Sequence, residues 1–122
     1  MYCLIVDDEE NNLHICGKIM SQMGFDTKLV NSAETAMEIC KTDMPSIIIL
    51  DWKMPYMSGI DFLHKLRDMI GGSKPSVLMC TSNHQTEDIK EALDAGANEY
   101  IMKPFDKHIM QSKLQRLGLL EY

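Results

Sequence analysis

The chain has 122 residues, 25% of them charged and 45% hydrophobic, with a formal net charge of −6. That length fits a single domain, expected to span residues 1–122, and is enough to bury a core without disulfide or metal staples. The ordinary composition excludes disorder and fibrous repeats. The longest unbroken apolar run, Met1 to Val6, falls far short of the roughly 20 residues of a membrane span, and no Lys/Arg cluster offsets the acidic balance against a nucleic acid backbone.

Short apolar runs then alternate with stretches of helical period. The first run, Cys3-Leu4-Ile5-Val6, is continuous, as strands buried on both faces are. It ends in Asp7-Asp8-Glu9-Glu10, with no basic segment before it, so no secretory leader is expected. Leu13, Cys16, Met20 and Met23 recur at helical spacing, and Gly24 stands where that helix should stop. Phe25 to Val30 alternates more, as an edge strand does. Ser32 before Ala33-Glu34 suits a helix N-cap. Ile47-Ile48-Ile49-Leu50 is again continuous and leads into Asp51.

Ser58, with Asp61 three residues on, reads as the next N-cap. The helix behind it carries Phe62 or Leu63, Leu66, and Met69 or Ile70 on its apolar face and should end at Gly71-Gly72. Val77-Leu78-Met79-Cys80 runs into Thr81-Ser82. Ile89 with Leu93 marks a further helix, closed by Gly96. Tyr100-Ile101-Met102 runs into Lys103-Pro104. Asp106 caps a last helix, with Ile109 or Met110, Leu114 and Leu117 as its face.

Five repeats of strand then helix predict an α/β fold. A parallel sheet covered by helices on both faces, joined by right-handed crossovers, is the expected packing. The 11 methionines read as core filler, with an adaptable docking surface as the alternative. Cys3, Cys16, Cys40 and Cys80 are widely spaced among apolar neighbours, without a Cys-x-x-Cys pair. They read as buried free thiols of a reducing cytoplasm rather than zinc ligands; a redox role is the alternative.

The strands end in acid, acid, hydroxyl and amine: Asp7-Asp8, Asp51, Thr81-Ser82 and Lys103. In open parallel sheets, ligands bind beyond the carboxyl ends of the strands. Two like charges about 4 Å apart repel by roughly 4 kcal/mol at an effective dielectric near 20. A hard divalent cation removes that cost, and Mg²⁺ accepts one or two carboxylates while keeping waters that a phosphate can replace. Capping of the first helix by Asp7 and Asp8 would leave Asp51 unexplained. An ionised carboxylate at the lip of a buried strand can be a nucleophile. Attack of Asp51 on a phosphoryl group would give an aspartyl-phosphate, with Mg²⁺ and the Lys103 ammonium neutralising the developing oxygens.

Five segments carry a resemblance: Leu4-Ile5-Val6-Asp7-Asp8-Glu9, Ile49-Leu50-Asp51-Trp52-Lys53-Met54-Pro55, Met79-Cys80-Thr81-Ser82, Ala95-Gly96-Ala97-Asn98-Glu99-Tyr100 and Ile101-Met102-Lys103-Pro104-Phe105. In order and spacing they resemble the receiver domain of two-component response regulators, of the CheY-like single-domain kind, across essentially the whole chain. The resemblance implies a flavodoxin-like (βα)5 three-layer sandwich with strand order 2-1-3-4-5. It implies Asp51 as phosphoacceptor, Asp8 as a direct Mg²⁺ ligand, Asp7 as its partner, often through water, and Lys53 as donor of a backbone carbonyl to the metal. Thr81 and Lys103 would each bond a phosphoryl oxygen, Pro104 would follow a cis peptide bond, and Tyr100 would be the switch aromatic.

Phosphorylation adds about two negative charges. By the same resemblance, Thr81 is drawn toward them and Tyr100 turns inward. The surface of the fourth helix, fifth strand and fifth helix then changes, with His84, Thr86, Ile89, Tyr100 and Lys107 as the residues expected to meet a partner. Lys53 and Asn83 flank the path of the attacking water and are expected to set the lifetime of the phosphorylated state.

The implied function is a cytoplasmic switch that takes its phosphoryl group from a sensor histidine kinase or histidine phosphotransferase and contacts a downstream protein, in chemotaxis or flagellar control. A monomer or a phosphorylation-dependent dimer is expected, with no nucleic acid bound by this chain alone. A receiver cut from a larger DNA-binding regulator is an alternative. An Mg²⁺-dependent phosphatase with an Asp nucleophile would want a second acid where Lys53 stands, so catalysis is expected to be confined to the chain's own phosphorylation and dephosphorylation. A flavin carrier would want a hydroxyl- and glycine-rich loop where Asp7-Asp8-Glu9-Glu10 would repel the phosphate. The intact set of Asp8, Asp51, Thr81 and Lys103 argues against a degenerate adaptor.

Overall fold

A computed structural model describes residues 2–82, 86–103 and 105–121, with the backbone alone for residues 86–88. Strands and helices alternate: β1 (Tyr2–Val6), α1 (Glu10–Gln22), β2 (Asp26–Val30), α2 (Ala33–Thr42), β3 (Ile47–Asp51), α3 (Gly59–Asp68), β4 (Ser76–Thr81), α4 (Thr86–Asp94), β5 (Glu99–Met102) and α5 (Lys107–Arg116). The strands form one parallel sheet in the order β2-β1-β3-β4-β5. The continuous apolar runs occupy the middle of the sheet, where both faces are covered. β2, whose side chains are mostly exposed, lies at one edge.

Side chains alternate between two apolar layers. Leu4, Val6, Ile48, Leu50, Val77 and Met79 face α2, α3 and α4. Cys3, Ile5, Ile47, Ile49, Leu78 and Cys80 face α1 and α5. The sandwich therefore has three layers, as the resemblance implies.

Register decides where the polar strand ends fall. Val6 lies opposite Leu50, Leu50 opposite Met79, and Met79 opposite Tyr100. Asp7 and Asp51 stand one residue beyond that row. Thr81 lies opposite Met102, so Lys103 follows at the same rim. Four residues far apart in the chain thus converge because parallel strands advance in step.

Local chemistry sets the helix ends. The side chains of Ser32, Ser58 and Asp106 accept hydrogen bonds from the amides of Thr35 (3.1 Å), Asp61 (3.2 Å) and Ile109 (2.9 Å). α3 stops earlier than its apolar period suggested. Met69 is already extended and Ile70 is fully exposed. The cause lies at Gly72, which packs so tightly on the Leu66 carbonyl that no side chain fits, while Gly71 turns through φ 78°. In α4 the inward place of the helical period goes to another residue, since Ala92 is buried and Leu93 exposed; of the two alternatives in α5, Met110 is buried and Ile109 exposed. Among the described residues no helix is long and apolar enough to cross a membrane.

All four cysteines are free and buried. Burial pushes the Cys16 thiol up to about 12 and the Cys40 thiol up to about 11, so neither forms thiolate near neutrality. A disulfide reagent at pH 8 should therefore titrate no thiol in minutes on the native protein and all four in denaturant. Rapid reaction of one thiol in the folded protein would contradict this packing.

Candidate functional site

The Asp7 amide donates to the Val30 carbonyl (3.2 Å), which extends the β1–β2 ladder by one step and leaves the residue only 6% exposed at the rim. Its Oδ1 accepts from the Glu9 amide (3.0 Å) and its Oδ2 faces the Lys103 ammonium (3.1 Å). Asp7 is thus held from both sides. The N-cap residue of α1, Glu9, makes no side-chain cap, so the acids here do more than start a helix. Asp8, the next residue, is exposed.

Asp51 closes β3. Beyond it the Trp52 amide donates to the Cys80 carbonyl (2.9 Å), and the Gly59 amide donates to the Trp52 carbonyl (2.9 Å). A Cβ at Gly59 would collide with the Asp51 carbonyl oxygen. This glycine lets α3 begin directly against the end of β3 and fixes the backbone at Asp51.

Lys103 enters from β5, its amide bonded to the Thr81 carbonyl (2.8 Å). Its Nζ lies 2.7 Å from Asp51 Oδ1 and 3.1 Å from Asp7 Oδ2, with 23% of the side chain exposed. Burial pushes Asp51 above the usual carboxylate range, Lys103 pulls against that, and the charges of Asp7 and Asp8 add to the push. Burial alone would pull Lys103 down, but its hydrogen bonds and charge pairing with Asp51 and Asp7 outweigh it and hold the ammonium above its ordinary value. Asp51 is drawn toward its neutral form and Lys103 toward its charged form. The 2.7 Å contact decides in favour of the ion pair.

Carboxylate oxygens of Asp7, Asp8 and Asp51 lie within 4.8 Å of one another. Among the described residues, three acids against one ammonium leave the pocket short of positive charge. An all-oxygen donor set with one exposed member is what a hard, partly hydrated divalent cation takes, so the residues fit Mg²⁺. Thr81 is buried at the end of β4, and Ser82 beyond it is exposed. A cavity of about 310 Å³ opens beside Asp51 and Lys103, walled on its apolar side by Ile15, Cys16 and Phe105.

Of the remaining predicted residues, Lys53 projects from the loop after β3 and is exposed, as is Lys107 at the start of α5. Ile89 and Tyr100 are half-buried. Asn83, His84 and Pro104 lie outside the described residues, as does the side chain of Thr86.

Two constellations were not anticipated. Arg67 on α3 reaches the carbonyls of Gly72, Pro75 and Gly96 and the Asn98 side chain. Glu99, a buried acid in β5, pairs with Lys113 and Arg116 of α5. The only trace of the first in the sequence is the glycines at positions 71, 72 and 96, whose loops carry carbonyls in need of a donor. The second pairs residues 14 and 17 positions apart, with no local signal.

Known proteins share this pattern. The response regulator receiver domain family matches residues 3–115. Chemotaxis protein CheY-3 of Vibrio cholerae is 35% identical over 118 residues, covering 96% of this chain and 91% of that protein. The regulatory protein AtoC of Escherichia coli is 33% identical over 113 residues, covering 93% of this chain, which spans about a quarter (24%) of AtoC's length. A CheY-like receiver domain protein from Methanospirillum hungatei superposes with a TM-score of 0.85 at 26% identity, over 95% of this chain and 91% of that one. Vibrio cholerae CheY4 superposes with a TM-score of 0.89 at 24% identity and shares the fold.

Proposed function

The chain belongs to the response regulator receiver domain family, and we propose that its phosphoacceptor is Asp51, charged by a sensor histidine kinase or a histidine phosphotransferase. The observation that carries this reading is the Lys103 ammonium held between Asp51 and Asp7, within a cluster of three carboxylates at the strand ends.

Asp51 Oδ attacks the phosphorus, the bond to the donor's histidine nitrogen breaks, and an acyl phosphate forms on Asp51. Asp7, Asp8, Asp51 and the Lys53 carbonyl would hold Mg²⁺, which supplies positive charge against the acids and the phosphoryl oxygens when bound. Lys103 already touches the attacking carboxylate, so it needs only a small movement to pair with a phosphoryl oxygen instead. Its charge is in place before the reaction, the preorganisation that makes electrostatic stabilisation effective. Thr81, buried at the end of the neighbouring strand, offers its hydroxyl to another oxygen. Tyr100 follows Thr81 inward, and the α4–β5–α5 surface, on which Ile89, Tyr100 and Lys107 are described, changes shape. Lys53 and Asn83 govern how readily water removes the phosphoryl group. Catalysis is confined to the chain's own phosphorylation cycle, in the cytoplasm.

Two readings of the output have support. The match to CheY-3 over 91% of its length favours contact with a downstream protein, in chemotaxis, by one domain spanning 1–122. The match to a quarter of AtoC favours a receiver that controls further domains of a longer regulator.

The metal site is tested by melting. Mg²⁺ at 100 times its dissociation constant should stabilise the fold by about 2.7 kcal/mol, and Asp8→Ala should abolish that shift. A melting temperature indifferent to Mg²⁺ in the unmodified chain would contradict the assignment of these acids.

A further inference from the structure

We infer that Lys113 is a positioning residue for the switch: its ammonium, mounted on Glu99, holds the Tyr100 ring in its resting place and so restrains phosphorylation of Asp51. The inference rests on the phospho-switch reading above.

Tyr100 lies opposite Met79, and Thr81 lies opposite Met102. Residues two apart on a strand share a face, so Tyr100 and Thr81 lie on the same side of the sheet, one diagonal step apart. The ring therefore has a short path toward the hydroxyl. β5 is the edge of the sheet, and Lys113 of α5 reaches round that edge. Its Nζ sits 4.7 Å from the centroid of the Tyr100 ring and 3.3 Å from Glu99 Oε1.

Glu99 is a fixed mount. Its Oε1 also accepts from the Tyr100 amide (3.2 Å), and its Oε2 lies 3.8 Å from Arg116. Both carboxylate and ammonium are largely buried, 11% and 18% exposed. A cation over an aromatic face is an attraction that strengthens with such desolvation. Turning the ring inward breaks that contact while the Lys113–Glu99 pair stays behind. The pair therefore favours the outward ring and, by linkage, the unphosphorylated site. An ion pair that only braced α5 against β5 would be indifferent to the ring.

The test is the midpoint for beryllofluoride, a phosphoryl mimic, read with Mg²⁺ by the fluorescence of Trp52, beside the phosphoacceptor. Lys113→Met should lower the midpoint about threefold and speed labelling by acetyl phosphate by a similar factor, the size of shift a partly exposed cation–ring contact allows. Lys113→Arg, which keeps cation and pair, should behave as the unmodified chain. In a Tyr100→Leu background, Lys113→Met should change nothing. Should Lys113→Met fail to fold, Glu99→Gln carries the test: it keeps the acceptor for the Tyr100 amide, loosens the ammonium, and should shift the midpoint in the same direction. An unchanged midpoint in the folded variant, or an equal shift without the ring, overturns the inference. An unmodified chain that takes neither beryllofluoride nor phosphate defeats the phospho-switch reading itself.

Discussion

Lys103→Met should lower the rate of phosphoryl labelling about a hundredfold or more, the cost of removing one preorganised charge from a developing oxyanion. The same change should destabilise the protein without metal, because Asp7 and Asp51 lose the ammonium that touches both. Breaking a fully buried ion pair costs about 3–5 kcal/mol. With Lys103 23% exposed, about 2 kcal/mol is the reasonable expectation after solvent screening. Mg²⁺ should restore much of that stability but little of the rate, since it answers the repulsion among the acids without replacing the ammonium's contact with Asp51.

The pH dependence has a definite sign. In the unmodified chain the Lys103 ammonium is held above its ordinary value. Its contribution to stability is therefore complete below the unfolded lysine's pKa, about 10.4, and is lost only as pH rises through the higher folded value. In the variant the cation that, among the described residues, lowers Asp51 is gone, while burial and the charges of Asp7 and Asp8, which raise it, remain. A carboxyl raised in the folded state binds more protons folded than unfolded, so stability falls as pH rises. Lys103→Met should accordingly melt closer to the unmodified chain at pH 5 than at pH 7 when metal is absent. A constant difference in melting temperature would contradict this.

Arg67→Met should destabilise the fold substantially although Arg67 lies outside the pocket. The guanidinium donates to the Gly96 carbonyl from Nε (3.1 Å) and Nη2 (2.7 Å), to the Asn98 side chain (3.0 Å), and from Nη1 to the Gly72 and Pro75 carbonyls (2.9 Å each). Asn98 Oδ1 in turn accepts from the Val77 amide (2.8 Å). One side chain thereby ties the end of α3 to the turns that enter β4 and β5. Hydrogen bonds from charged donors contribute about 1.5–3 kcal/mol each when buried. Arg67 is partly exposed, and water can reach some of the freed carbonyls, so about 2–3 kcal/mol for the whole cluster is expected in urea unfolding. Mg²⁺ binding should be unchanged, since Arg67 touches none of the three acids. A loss below about 0.5 kcal/mol, the range of ordinary surface changes, would show the cluster to be dispensable.

The contrast between Lys103 and Arg67 shows what the sequence carries. Lys103 follows an apolar strand directly, and a polar residue at the end of a buried parallel strand has few places to go. The strand runs and their order therefore made the pocket readable from Asp7, Asp51, Thr81 and Lys103. Helix starts were readable for the same local reason, since Ser32, Ser58 and Asp106 act within three residues of themselves. Arg67 left no such mark. It lies on a helix whose neighbours Lys65 and Asp68 are exposed, and its partners are backbone carbonyls, which every residue has. Glu99 and Lys113 meet only because α5 folds back along β5. The end of α3 is not legible in the sequence because the apolar period continues through Ile70, while the close packing of Gly72 on Leu66 stops the helix earlier.

The most direct measurement is transfer of radiolabelled phosphate from acetyl phosphate to the purified chain, with Mg²⁺ and with chelator, in the unmodified protein and in Asp51→Asn. Labelling that needs Mg²⁺, is lost in Asp51→Asn and is stable to acid but not to alkali, as an acyl phosphate is, is the expected result. Equal labelling of Asp51→Asn, or none of the unmodified chain at saturating Mg²⁺, would contradict the assignment of Asp51 as phosphoacceptor.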